Sequence, residues 1–381
     1  MTIDYASVNQ KQLEQDINTI KKNIGKPTYD DYLHMRKMER WARAFTVLGY
    51  SMAWIFPLNI LGAMFIAIGS VGRWTCVTHP VMHGAYDKVE KAPRNYTRKG
   101  FARGWRRLLD WNDWISPEAW EYEHNIMHHY SLGEKDDPDN VELNLEQVRH
   151  IKLPMFVKYM GLFLFTMVWK FVVYSPSCLN ALNNLQRRKA GQEEHYSCMR
   201  ADAWNPFKPQ GFHLLIKLYL PYIAFRFVLI PLLFLPFGSD IALTVFYTTL
   251  LAEAFTNIYS FVLILPNHSA EDIYRFEEPS EGKGEFYLRQ ILGSVNYKTG
   301  GDLNDFLHGW LNYQIEHHLF PNLPLSQYQK MQPIVKEVCK KHNLPYRQES
   351  VFKRVWMTVE LIVGKTNLLV IKRAEERAVA A

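Results

Sequence analysis

The stretch IALTVFYTTLLAEAFTNIYSFVLILPNHS, residues 241–269, carries one charged side chain, Glu253, before it reaches His268. A helix needs ~20 predominantly apolar residues to cross the ~30 Å hydrocarbon core of a bilayer, and Ile241 to Pro266 exceeds that length. The segment therefore reads as a membrane span with a histidine at its exit. Three further apolar blocks lie upstream: Phe45 to Ser70, interrupted by Pro57; Leu153 to Ser175; and Phe212 to Gly238. In all four the apolar residues come in runs rather than in an amphipathic period, which points to membrane rather than to the core of a soluble domain.

The chain has 381 residues and a net charge of +6, with 22% charged residues. A large part of it must face water. The first forty-four residues contain "KKNIGK" and "RKMERWAR" and lack the apolar core and cleavage site of a secretory signal. Basic flanks "RKMERWAR", "RKGFARGWRR", "LQRRKAG" and "KRAEER" put their segments on the cytoplasmic side, where Lys and Arg accumulate. The positive charge suits anionic headgroups or an acidic carrier and is too diffuse for nucleic-acid binding. Cys76, Cys178, Cys198 and Cys339 are far apart with no CxxC, so no disulfide framework, zinc ribbon or iron-sulfur site is expected.

Of fourteen histidines, eight fall in four short places: "HPVMH" (His79, His83), "HNIMHH" (His124, His128, His129), "NHS" (His268) and "QIEHH" (His317, His318). Histidines four apart share a helix face, so His79 with His83 and His124 with His128 can each aim two imidazoles at one ion, and Gln314 stands three residues before His317. The remaining six, His34, His150, His195, His213, His308 and His342, are isolated and read as surface or satisfied side chains. Imidazole suits zinc, copper, iron and nickel alike. A zinc site takes three or four protein ligands, so eight histidines match two ions with open positions better than one. Pro80 follows His79 where a zinc protease would carry Glu. Only one Glu-x-x-His pair, Glu121 with His124, is present, whereas soluble di-iron bundles use two.

For the four places to meet, every membrane excursion between them must return to the same side. The blocks joined by "PFGSD" form a hairpin, the first block folds back near Pro57, and Leu153–Ser175, with Lys158 and Lys170, lies along the interface. The expected architecture is all-α: an integral membrane protein of about four transmembrane helices in two hairpins, with a cytosolic helical cap carrying the histidines. Residues 1–44 form a cytosolic helical segment and 45–350 the membrane domain. Within it, 45–72 is a hairpin, 73–150 a cap with the first two motifs, 153–175 the interfacial helix, 212–266 a hairpin, and 267–350 a cap with the third motif. Residues 351–381 form a helical tail.

These motifs resemble the histidine boxes of the membrane-bound fatty acid desaturases: HxxxH as His79 and His83, HxxxHH as His124, His128 and His129, and QxxHH as Gln314, His317 and His318. The resemblance runs from about residue 45 to 350. Flanking text "HGAYDK", "LGEKDDPDN", "PNHS" and "NYQIEHHLFPNLP" is similar to bacterial acyl desaturases, while Gln314 in place of His resembles the front-end members. The resemblance implies two iron ions, dioxygen as co-substrate and a further ligand after the last membrane helix, which His268 matches, with Asn267 beside it. It implies a fatty acyl substrate, as acyl-CoA, acyl-carrier protein or acyl lipid, and residence in a bacterial inner membrane with the boxes facing the cytoplasm. No HPGG haem motif occurs, so electrons are expected from a separate ferredoxin-like carrier. Glu121, Glu123, Asp137, Asp139 and Glu316 adjoin the boxes as candidate orienters of the rings. Trp111, Trp114, Trp120, Tyr259 and Phe261 are candidate walls of an acyl tunnel. Hydroxylases and acetylenases share the three-box plan. A metal transporter would place its ionisable residues along the spans, where this chain offers mainly Glu253 and Arg226.

Overall fold

The computed structural model describes residues 5–193 and 201–372. Three of its helices are long and apolar enough to cross a membrane: Ile60–Met82, Pro209–Phe237 and Ser239–Asn267. A fourth span exists only if Met155–Thr166 and Lys170–Lys189, bent by 76° at their junction, act as one.

The block from Phe45 to Ser70 divides between two helices. Tyr29–Met52 begins at a capping box in which the Thr28 side chain accepts from Asp31 N and Asp31 accepts from Thr28 N. Its charged first half keeps it out of the spanning set. A turn holding Pro57 and Leu58, the latter at φ 56°, leads to Ile60–Arg73, which Asn59 caps through Gly62 N. The two helices pack closely because glycine lines their contact. A Cβ at Gly69 would lie 2.5 Å from Ala42 O, and one at Gly49 would lie 2.7 Å from Gly62 O.

Ile60–Arg73 does not stop at the expected start of a cap. It runs through one wider turn, Trp74–Thr78, into His79–Met82, so the first histidine motif forms the end of a candidate span. The other two candidate spans meet at Gly238, φ 127°, where the lack of a side chain permits the reversal. Their buried charges pair with each other: Arg226 Nε lies 2.8 Å from Glu253 Oε2, which also accepts from Tyr222 OH at 2.7 Å, while Trp114 Nε1 donates to Glu253 Oε1 at 2.7 Å. Lys170 is buried on Asp113 at 2.9 Å, and Lys158 donates to Arg149 O and Val363 O, so both lysines of the Leu153–Ser175 block turn inward.

The all-α expectation needs one correction. Two short parallel strand pairs are present, Tyr274–Phe276 with Leu369–Ile371 and Asn296–Tyr297 with Gln348–Glu349. They tie the C-terminal segment to the loops around the third motif. The tail is therefore helical only over Val351–Ile362; residues 373–381 lie outside the described residues, as do His195 and Cys198. Cys76, Cys178 and Cys339 are buried free thiols. At the other end, Gln10–Asn23 buries Leu13, Ile17 and Ile20 at helical spacing against Gly282–Leu292 and Leu325–Lys341.

Candidate metal centre

Four elements bring the eight clustered histidines together. His79 and His83 end the Ile60 helix, His124 to His129 follow Pro117–Tyr122, His268 follows the Ser239 helix, and His317 and His318 lie on Gln314–Leu319. All eight are buried or nearly so.

The backbone is underwound into wider turns at the first two motifs. His79 N–H bonds to Trp74 O and His129 N–H to His124 O, each five residues back. Residues five apart diverge on an α-helix but come closer to alignment on a π turn, which sets the His129 ring beside His124 with centroids 4.9 Å apart. Such turns recur at functional sites.

The rings form two adjoining groups. His79, His83, His124 and His317 place potential ligand atoms within 4.8 Å of one another, as do His128, His268 and His318, and His124, His128 and Asp139 form a third such set that bridges the two. His129 joins them: its Nε2 is 3.1 Å from His317 Nε2, and its ring stacks on His318 with centroids 4.4 Å apart. The pairs His79–His124 and His268–His318 also bring Nε2 atoms to 3.1 Å. Two nitrogens each ~2.1 Å from one ion, at angles between octahedral and tetrahedral, stand ~3.0–3.4 Å apart. The ring spacing therefore fits a shared cation. His83 Nε2 and Gln314 Oε1 are buried without a partner at this place, which is the further mark of a site built for something held between the rings.

Electrostatics agree. Burial, then the neighbouring rings, holds His83, His124, His129, His317 and His318 far below the usual imidazole range, and burial with His128 takes His268 down to about 3. Burial thus favours the neutral ring, the form in which imidazole can bind a metal. His128 differs: burial lowers it, but Asp137 and Asp139 outweigh that and push it up to about 9.

Four of the far ring nitrogens are held from behind, whereas His129 Nδ1 is buried without a partner. Asp137 lies 2.9 Å from His128 Nδ1, with Asp139 at 3.5 Å. Gly293 O accepts from His268 Nδ1 at 2.8 Å, Gln290 Oε1 from His318 Nδ1 at 2.9 Å, and Tyr328 OH lies 3.1 Å from His317 Nδ1. Tyr328, Gln290 and the Gly293 carbonyl carried no local signal, because each sits on a different element from the ring it meets. The Trp120 indole stacks on His124 at 4.5 Å.

Of the five acids expected to orient rings, Asp137 and Asp139 face one and three do not. Glu121 is paired with Arg98 and Arg103, which draw it off the rings. Glu316 is bound by Asn296 at 2.8 Å and Tyr346 at 2.8 Å, and burial raises it to about 7. Glu123 contacts no ring nitrogen; burial and then Asp139 raise it well above the carboxylate range, and it lines the cleft beside the site. Asn267 donates to Leu311 O and Leu263 O, leaving its Oδ1 partnerless in the same cleft, and Gln314 Nε2 stands 2.9 Å from His268 Nε2.

That cleft is mostly apolar. Trp74, Trp120, Val141, Phe165, Trp169 and Leu265 wall it, and His79, His124, His128 and His268 form one side. Of the aromatic residues expected there only Trp120 lines it; Trp114 instead holds Glu253, and Tyr259 bonds Leu307 O.

Residues 36–350 match the family model described as fatty acid desaturase. The NADPH-dependent stearoyl-CoA 9-desaturase of Mycobacterium tuberculosis is 27% identical over 307 residues, 78% of this chain and 66% of that protein. The sn-1 linoleoyl-lipid 6-desaturase of Synechocystis sp. is 26% identical over 311 residues, 78% of each chain. The acyl-lipid (9-3)-desaturase of Borago officinalis is 50% identical over 97 residues, 25% of this chain and 20% of that protein. The chain thus spans 66% of the length of the Mycobacterium enzyme and far less of the plant one. With two histidine groups set into one wall of an apolar cleft and a family match over most of its length, this chain belongs to the fatty acid desaturase family.

Proposed function

We propose that this protein introduces a carbon–carbon double bond into a fatty acyl chain, using dioxygen and two electrons at a pair of iron ions. The observation that carries the reading is the adjacency of the two histidine groups to the apolar cleft. His79, His83, His124 and His317, with His129, would hold one ion; His128, His268 and His318 would hold the other, with Gln314 able to offer Oε1 beside them. Bound iron supplies the oxidising power toward an unactivated methylene that no side chain has. Everything else is done by protein. Asp137, Gln290, Tyr328 and the Gly293 carbonyl fix ring orientation, which sets ligand basicity. Trp74, Val141, Phe165 and Leu265 hold the acyl chain against the rings and keep water from the reacting carbons. Two hydrogens leave adjacent carbons and, with two electrons and two protons, reduce dioxygen to two waters.

The electrons come from a separate one-electron carrier such as ferredoxin. The acyl group is carried on coenzyme A, carrier protein or lipid; relatives named for stearoyl-CoA and for linoleoyl-lipid support either. The candidate spans form hairpins in a bacterial inner membrane, with the histidines in a cap on the cytoplasmic side. Met155–Thr166 is ~18 Å long at 1.5 Å per residue, too short to cross, and its exposed Phe156, Met160, Phe163 and Leu164 lie along the interface.

The test is expression in cells fed defined fatty acids, with and without ferredoxin, followed by mass spectrometric location of double bonds. New alkenes that require iron and the carrier are expected. Hydroxylated product alone would overturn the desaturase reading. His317→Ala should abolish both iron binding and product.

A further inference from the structure

Behind His317, and outside the acyl cleft, three aromatic rings stand in file. Tyr328, whose hydroxyl meets His317 Nδ1, lies 6.5 Å from Tyr313 with ring planes 20° apart. Tyr313 lies 5.8 Å from Trp310 at 26°, and Trp310 sits edge-on to His34 at 5.0 Å. The three rings are buried, whereas His34 and its partner Asp302 are partly exposed. The file connects a proposed iron ligand to the outer layer of the protein.

Two features go beyond core packing. Trp310 has φ 58°, a left-handed conformation that is strained for a residue with a Cβ. It follows Gly309 at φ 63°, and its Nε1–H is held by Met38 Sδ at 3.3 Å. Strain of this kind persists where surrounding structure enforces it for a purpose. Secondly, Tyr313 OH donates to Asp305 Oδ2 at 2.8 Å. Asp305 is fully buried and also accepts from Asn312 at 2.6 Å, Gln329 at 2.8 Å, Asn304 at 3.0 Å and Gly300 N at 3.1 Å. Its other donors are amides, so among the described residues the one acidic proton hydrogen-bonded to this carboxylate is that of Tyr313. A phenol that can pass its proton along an existing hydrogen bond loses an electron more readily than one that must become a buried cation.

We propose that Tyr313, with Asp305 as its proton acceptor, is a redox-active tyrosine that discharges the oxidised metal centre when no acyl chain occupies the cleft. The proposal rests on the di-iron reading above. One electron passes from Tyr313 through Tyr328 and His317 to the centre left oxidised by dioxygen; the hydroxyl proton moves to Asp305, and Tyr313 becomes a neutral radical. An electron from the one-electron carrier, arriving by way of Trp310, and the proton returning from Asp305 restore the phenol. Oxidation in an empty cleft thus falls on a tyrosine that can be repaired rather than on the histidine ligands.

The experiment uses full-length, iron-loaded protein in phospholipid nanodiscs, reduced anaerobically with dithionite, freed of excess reductant and mixed with oxygenated buffer without acyl substrate. Freeze-quenched samples are read by electron paramagnetic resonance. Wild type should give an organic radical signal that narrows when the protein is made with ring-deuterated tyrosine. Tyr313→Phe, which keeps the stack, should lose the signal at unchanged iron content and, by peptide mass spectrometry, accumulate oxidised histidine at His317 and His318. Oxidised iron without a tyrosyl radical in wild type, or a radical that survives in Tyr313→Phe, overturns the proposal. If that radical-free protein still forms alkene from acyl substrate, the desaturase reading stands; if it binds no iron, both fall.

Discussion

Asp137→Ala puts the orientation of His128 to a quantitative test. The Asp137 carboxylate is buried and accepts three hydrogen bonds: from His128 Nδ1 at 2.9 Å, Gly133 N at 2.7 Å and Asp139 N at 2.9 Å. Alanine leaves three donors without a partner, and each buried unsatisfied group costs ~1–3 kcal/mol, so stability should fall by about 3 kcal/mol or more. Asp137→Asn keeps an oxygen for His128 and Asp139 but turns an amide N–H toward Gly133 N–H, so one bond is lost, about 1–3 kcal/mol. The effect on metal is separable from the effect on folding. Loss of a partner behind a metal-binding histidine costs ~10–100-fold in affinity, about 1.4–2.7 kcal/mol. Iron affinity, measured by competition with a graded series of chelators beside thermal unfolding, should fall in both variants and further in alanine. Glu121→Gln is the control: its carboxylate is held by Arg98 and Arg103, so affinity should not change. A folded Asp137→Ala protein with wild-type iron affinity would refute the assignment of His128 as a ligand oriented by Asp137.

Three further outcomes are expected. Gly69→Leu would drive its Cβ to 2.5 Å from Ala42 O and 2.8 Å from Thr46 N, so the protein should fail to accumulate in membranes, whereas Gly161→Leu, with nothing within 4 Å, should accumulate normally on a membrane immunoblot. Glu253→Ala leaves Arg226 buried without its carboxylate and should lower stability by about 3–5 kcal/mol, read as a depressed unfolding midpoint in detergent. Stripping iron with a strong chelator should also lower that midpoint, because an ion that binds only the folded chain at 100 times its Kd contributes ~2.7 kcal/mol; an unchanged midpoint would mean that the rings hold no ion.

The membrane character was legible because it depends on composition along short runs. Ile241–Pro266 is apolar whatever surrounds it, and the helix ends at Asn267 as its length suggests. The eight histidines could likewise be picked out, since spacing along one helix decides which rings share a face. What the periodicity hid was the change of winding: an α-helical reading brings His124 and His128 together but leaves His129 to one side, and the π turn at Glu123–His128 is what swings it in. The first block misled in the same local way. Pro57 falls in the turn between two helices, yet nothing near it told that the helix after the turn would continue through Arg73 to the first motif.

Sequence alone therefore determined which runs are apolar enough to span a membrane and which histidines cluster, because both are properties of residue type and near-neighbour spacing. Only tertiary structure decided how the donors divide into two groups, which of the adjacent acids face a ring, and that Tyr328, Gln290 and a glycine carbonyl complete the support. Glu121 and Asp137 look alike in the chain. Arginines at 98 and 103 capture the first, while a turn that aims Gly133 N and Asp139 N at the second leaves it against His128. That choice depends on which charged and hydrogen-bonding groups arrive from elsewhere in the chain, and the residues beside a histidine carry no record of them.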